Sequence, residues 1–165
     1  MDKNSKKVIT SSDRHNWRTP ITLFEKIHSH MNFELDPCAE TDNLGLPYFD
    51  KETDGLKMPW GDKNVFVNPP YGAEQKKWIE KAIGEKKALS VFLIPARVDT
   101  KLWQDVIFKH ADAICFLKGR VRFVHPETGK ASNPSVFPSA LILFNANIFD
   151  RAKFAKACKN LGICL

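Results

Sequence analysis

Asn68-Pro69-Pro70-Tyr71 brings an amide, two imino acids and a phenol together at the end of the short apolar run Val65-Phe66-Val67. Asn68 offers a side-chain oxygen that accepts hydrogen bonds. Pro69 and Pro70 add carbonyls but no N–H groups, so they cannot continue a sheet ladder. Tyr71 supplies a ring for stacking, and Gly72 follows it. Acceptors converging beside an aromatic face suit a planar group that carries an amine, and a nucleobase is one such group.

These residues need an element to aim them. Val65 to Val67 read as a buried strand, because apolar β-formers bounded by turn residues fit a strand better than a helix. Asn68 then stands at the carboxyl end of that strand, where open α/β sheets bind their ligands. The helix expected next carries Trp78, Ile79, Ala82 and Ile83 on one face and returns the chain to a parallel strand at Ala88 to Ile94. That run is almost continuously apolar, as in a strand covered on both faces. Further strands are expected at Ala113 to Leu117 and Ser139 to Phe144, with an amphipathic helix over Phe149 to Cys158.

Upstream, Trp17-Arg18-Thr19-Pro20 predicts a helix start, with Thr19 as N-cap and Pro20 as the first helical residue. Ile21, Phe24, Ile27 and His28 share a face of that helix. Phe33 to Ala39 predicts a short strand ending at Asp36-Pro37. A carboxylate at a strand end can sit beside an ammonium or hydroxyl group, or it can merely cap the next turn. No G-x-G-x-x-G accompanies it. Residues 40 to 64 are rich in turn formers and long for a plain connection, with Tyr48, Phe49, Leu56 and Trp60 as anchors.

Cations cluster after the later strands. Arg97 follows Pro95-Ala96 and is available to phosphate, while Asp99 or Thr100 caps the next helix. Lys118, Arg120 and Arg122 lie within five residues and are followed by Phe123, a pattern that suits phosphate contact and base stacking. A solvated turn would look the same. The polar loop His125 to Pro138, containing Asn133, is a candidate for reading a substrate.

The 165 residues and 18.8 kDa suit one domain with a real core, expected over residues 15 to 165. Residues 1 to 14 are polar and lysine-rich and predict a mobile basic arm. A formal net charge of +6 and a pI near 9.2 favour a polyanionic partner such as nucleic acid. No apolar run reaches the roughly 18 residues of a membrane span, and the N-terminus lacks an apolar signal core, so the expected location is the cytoplasm. Cys38, Cys115, Cys158 and Cys164 form no C-x-x-C pair, so neither a metal site nor a disulfide framework is expected.

Asn68-Pro69-Pro70-Tyr71 is similar to the motif of enzymes that methylate exocyclic or amide nitrogens from S-adenosylmethionine. With Trp17-x-Thr19-Pro20, Asp36-Pro37-x-Ala39, Asp54-Gly55-Leu56 with Trp60, and Gly119-Arg120-x-x-Phe123, the chain resembles the phage-type DNA N6-adenine methyltransferases, the phage Dam family. The resemblance spans roughly residues 17 to 145. It implies a Rossmann-like α/β fold, a mostly parallel sheet with helices on both faces, and phage or prophage origin. It also implies S-adenosylmethionine contacts at Trp17, Thr19, Pro20, Asp36, Pro37, Ala39 and Asp54. Double-stranded DNA is the implied partner, with its base flipped onto Asn68, Pro69, Pro70 and Tyr71, and its backbone on Arg97, Lys118, Arg120, Arg122 and Asn133. The usual glycine-rich turn after the first strand is replaced by Cys38-Ala39-Glu40-Thr41.

The residue chemistry agrees with this resemblance. The N6 lone pair of adenine is delocalised into the ring, and two acceptors on its hydrogens, the Asn68 oxygen and the Pro69 carbonyl, favour a nucleophilic tetrahedral nitrogen. Cytosine N4 and a protein glutamine amide present similar nitrogens, and a non-catalytic nucleic-acid-binding module could use the same scaffold.

Overall fold

A computed structural model describes residues 17–165. The expected basic arm, residues 1 to 14, lies outside the described residues. Helix α1 (Ile21–Met31) is followed by a long irregular segment, then β1 (Asn64–Val67), α2 (Ala73–Gly84) and β2 (Leu89–Pro95). A π-helical stretch, Leu102–Ile107, runs into the short α3 (Phe108–His110). Strands β3 (Ala113–Leu117) and β4 (Ser139–Phe144), helix α4 (Ile148–Cys158) and strand β5 (Gly162–Cys164) complete the order.

The five strands form one sheet in the order β1-β2-β4-β3-β5. Only β1 and β2 pair in parallel; the β2–β4, β4–β3 and β3–β5 ladders are antiparallel. The mostly parallel sheet expected from sequence is therefore corrected. Strands β1, β2 and β3 do run the same way, but β4 is inserted head-down between β2 and β3. Both faces of β4 are covered, so its SALILF run reads as apolar throughout, as a parallel strand would. The informative signal is the stretch between β3 and β4. It holds no helix among the described elements, and a parallel return needs a crossover of a dozen or more residues, most often helical.

Period-two alternation sorts the strands onto two cores. Phe66, Val91, Leu93, Leu141 and Leu143 face α1 and α4 through Phe24, Ile27, Met31 and Phe154. Val65, Val67, Phe92, Ile142 and Phe144 face α2 and the π-helical stretch through Trp78, Ile79, Trp103 and Ile107. Helices therefore cover both faces, as expected.

Three local expectations need correction. Phe33 to Ala39 forms no extended strand: Leu35 makes an isolated bridge to Val65 of β1, and Asp36 one to Tyr48 in the irregular segment. Thr19 is not the N-cap of α1, because Pro20 holds that position without a side-chain cap. Neither Asp99 nor Thr100 caps the π-helical stretch; Thr100 Oγ1 donates instead to the Arg97 carbonyl, at 2.8 Å. The expected tail helix is present as α4, and Asn147 and Asp150 form a reciprocal capping box at its start.

Candidate active site and nucleic-acid surface

β1 stops at Val67 and presents Asn68 at the sheet edge, as expected for a strand running into two prolines. The Asn68 Nδ2 donates to the Trp17 carbonyl at 2.8 Å, a contact between residues 51 positions apart. This bond uses one of the two N–H donors of the amide and fixes which end of it turns to the protein, leaving Oδ1 as the acceptor. Trp17 is held there from the far side of the chain. Arg18 and Val124 exchange both backbone hydrogen bonds, at 3.0 and 2.9 Å, and the Trp17 ring meets His125 edge-on at 5.3 Å. Pro69 is buried and Pro70 half-buried. Tyr71 is half-buried with its ring 6.1 Å from Phe123 at a steep angle, and burial raises its hydroxyl pKa, so the phenol stays neutral. Gly72 then adopts φ 93° and ψ −145°, a conformation open to glycine, and α2 begins after it.

A cavity of about 440 Å³ opens beside Asn68. Six of the seven residues expected to contact a cofactor line it: Trp17, Thr19, Asp36, Pro37, Ala39 and Asp54. Pro20 does not. Asn68 and Pro70 line it, whereas Pro69 and Tyr71 stand outside its wall. Phe49, Leu56 and Trp78 add apolar surface, and the rim carries Glu40 and Lys51, ion-paired at 2.6 Å.

The carboxylates around this cavity differ in how far the protein occupies them. Asp50 accepts from the backbone N–H and hydroxyl of Thr53, which hold its carboxyl below the usual range. Asp54, in a left-handed conformation at φ 57°, is tied to Lys57 at 3.0 Å and to the Leu56 N–H at 3.2 Å. Asp36 is different. Burial pushes its carboxyl up to about 7, and one backbone bond, from the Cys38 N–H to Oδ1, offsets part of that rise. Its Oδ2 has no hydrogen-bond partner among the described residues. The Cys38 thiol beside it is driven well above its ordinary pKa, first by burial and then by the nearby carboxylates.

Gly55 carries no signal of its own in the sequence beyond its place in Asp54-Gly55-Leu56. A Cβ at that position would run into the Pro37 carbonyl, so the two motifs touch backbone to backbone. Trp60 fastens the contact by donating its Nε1–H to the Gly55 carbonyl at 2.9 Å, fully buried. The spacing of Gly55 and Trp60 carries this information only in the form of a possible anchor.

The cationic residues gather elsewhere on the same edge. Arg97, Lys118, Arg120, Arg122 and Asn133 are all exposed, and none lines the cavity. Arg97 follows the end of β2 and stacks over Phe137 at 5.1 Å. Arg120, beyond the end of β3, donates to the Val136 carbonyl at 2.7 Å. Because β1, β2 and β3 share a direction, these residues lie on the edge that also presents Asn68.

No helix among the described residues is long and apolar enough to cross a membrane. No curated protein matches the chain. The sequence profile of a family described as DNA N-6-adenine-methyltransferase (Dam) matches residues 6–161. That match takes in the cavity, the Asn-Pro-Pro-Tyr turn and the cationic edge together, and the chain belongs to this family of enzymes that methylate adenine N6 in DNA.

Proposed function

We propose that the chain uses S-adenosylmethionine as methyl donor and methylates an adenine that has been flipped out of duplex DNA against Asn68-Pro69-Pro70-Tyr71. The observation that carries this reading is the Asn68 to Trp17 bond of 2.8 Å, which fixes the side-chain oxygen as an acceptor at the wall of the cavity. We further infer a phage or prophage origin, with the enzyme acting in the host cytoplasm where its DNA would be.

The cavity suits this donor. Its volume of about 440 Å³ falls in the range of small-molecule sites. A molecule with a sulfonium and an ammonium needs a carboxylate, and Asp36 offers one with an unused oxygen. A purine needs flat apolar surface, which Trp17, Pro37, Phe49 and Leu56 provide. When bound, S-adenosylmethionine supplies an electrophilic methyl group.

The protein's part is to hold and to polarise. Asn68 Oδ1 and the Pro69 carbonyl accept the two amino hydrogens of adenine, which turns the nitrogen lone pair out of the ring plane. The Trp17 carbonyl holds the Asn68 amide before reaction, so its Oδ1 stabilises the positive charge growing on nitrogen without reorganising. No strong base is needed, because the nitrogen becomes acidic only as its new bond forms; the proton then leaves to water. Tyr71 stacks on the base, an interaction of about 1–3 kcal/mol that offsets part of the unstacking cost.

The test is incubation with methyl-labelled S-adenosylmethionine and defined duplexes, followed by nucleoside analysis. Label on N6-methyladenine is expected. Label on N4-methylcytosine or on protein glutamine would overturn the reading. The motif alone leaves those nitrogens open; the family assignment favours adenine.

A further inference from the structure

Away from the cavity, the fold assembles a second group of reactive side chains. Cys115, Cys158 and Cys164 come from β3, α4 and β5, and their sulfur atoms all lie within 4.8 Å of one another. Spacing along the chain does not reveal this, because three elements contribute one thiol each.

The backbone accounts for the grouping. Cys115 and Cys164 are direct partners across the β3–β5 ladder. Their neighbours Ile114 and Leu165 exchange both backbone hydrogen bonds, at 2.9 and 2.8 Å. Cys115 and Cys164 therefore form a non-hydrogen-bonded pair, in which side chains approach most closely. Cys158 ends α4, and the turn from its carbonyl to the Leu161 N–H, at 2.8 Å, leads the chain into β5. Gly162 sits so close to Phe116 that a Cβ would collide with its carbonyl, which presses β5 onto β3.

We propose that Cys115, Cys158 and Cys164 form a trithiolate site for a soft metal ion with a filled d shell, such as Zn²⁺, Cd²⁺ or Cu⁺. Thiolate sulfur selects ions of this class. A zinc–sulfur distance of about 2.3 Å places the sulfurs of a bound set roughly 3.8 Å apart, so the thiols need to close by about 1 Å at most. Cys115 and Cys158 are fully buried, while Cys164 is partly exposed and leaves one side for entry and for a solvent ligand. Binding of a divalent ion replaces three thiol protons and neutralises two of the three thiolate charges in an apolar setting. The consequence is a clip joining β5 and α4 to β3, remote from Asn68 and independent of methyl transfer. Cys38, the remaining cysteine, borders the cavity and serves as an internal control.

The experiment uses the full chain, reduced and freed of metal by chelator, titrated with Cd²⁺ alone. Expected are one equivalent bound per chain, a thiolate-to-cadmium absorption band, and a thermal midpoint raised by roughly 5–10 °C when the ion is about a hundredfold above its dissociation constant. Cys158→Ser and Cys164→Ser should each lose most of the band, and Cys38→Ser should keep it. Should Cys158→Ser fail to fold, the edge-strand variant Cys164→Ser carries the test. Absence of the band in the unaltered chain, an undiminished band in Cys164→Ser, or its loss in Cys38→Ser would overturn the proposal.

Discussion

Asn68 is aimed by a bond to a backbone carbonyl, and that matters for its function. A free amide could turn either end toward a base, but the Trp17 carbonyl can only accept, so it selects the orientation with Oδ1 outward. Asn68→Ala should therefore lower kcat by about 10²–10³, the cost of losing one preorganised hydrogen-bonding group at a developing charge. S-adenosylmethionine affinity by calorimetry should stay within a few fold; near-normal turnover would remove Asn68 from the reaction. Asp36 leads to a different prediction. If its carboxylate receives the donor's ammonium, it must ionise first, so affinity should weaken about tenfold per pH unit below 7, and Asp36→Asn should abolish that slope. Stability runs the other way. The folded-state value of about 7 exceeds the ordinary 3.8, so the folded protein holds the proton more tightly. This contribution is fully present below about pH 3.8 and lost as pH rises through 7, at ~1.4 kcal/mol for each pH unit between the two values. The ligand-free Asp36→Asn variant should accordingly be the more stable protein at pH 8 by urea denaturation. A variant no more stable than the parent there would mean that burial does not strain this carboxylate.

At the scale of elements, the cavity is made where two irregular segments are fastened together rather than by a strand and its loop. Gly55 against Pro37 is that fastening, with Trp60 bonded across it. Gly55→Ala adds a methyl against backbone, which cannot move aside as a side chain could, and the Trp78 ring lies 3.1 Å from the same point. It should cost about 1–3 kcal/mol or more in urea denaturation and weaken S-adenosylmethionine binding together with stability. An unchanged midpoint would show that the contact is slack. The same elements explain what is legible in the sequence. β1, β2 and β4 announce themselves as apolar runs bounded by turn residues, and α2 and α4 by the helical spacing of their apolar residues, which are local signals. The position of Asp36 beside the cavity is readable from its Asp-Pro break. The contact of Trp17 with Asn68, the Gly55–Pro37 approach and the cysteine trio are not, because each joins residues from separate elements and leaves no periodic trace. The direction of β4 does not show in its own residues, because burial on both faces erases the alternation that distinguishes a half-covered antiparallel strand; only the helix-free stretch before it carries that signal.

At the scale of the whole molecule, some cations are paired with carboxylates and others are not, a difference that composition alone does not reveal. The lysines of α2 are neutralised locally, with Lys76, Lys77 and Lys81 ion-paired to Glu80, Glu74 and Glu85. Arg97, Lys118, Arg120 and Arg122, at the strand-end edge, make no ion pair with any described carboxylate. Four cations without a carboxylate partner thus stand at the strand ends that also present Asn68. Two of these arginines are also braced, Arg97 on the Phe137 ring and Arg120 on the Val136 carbonyl, so less side-chain entropy is lost when phosphate arrives. Each phosphate contact releases about 0.9 counterion on duplex DNA, which makes the salt dependence a direct count of contacts. Arg120→Ala should weaken binding to unrelated duplexes by a similar factor and make the plot of log affinity against log salt shallower by about 1. Lys77→Ala, on the self-neutralised helix α2, should leave the slope unchanged. If both variants shifted the slope equally, DNA would be responding to net charge rather than to this edge, and the entry side assigned to the base would be wrong.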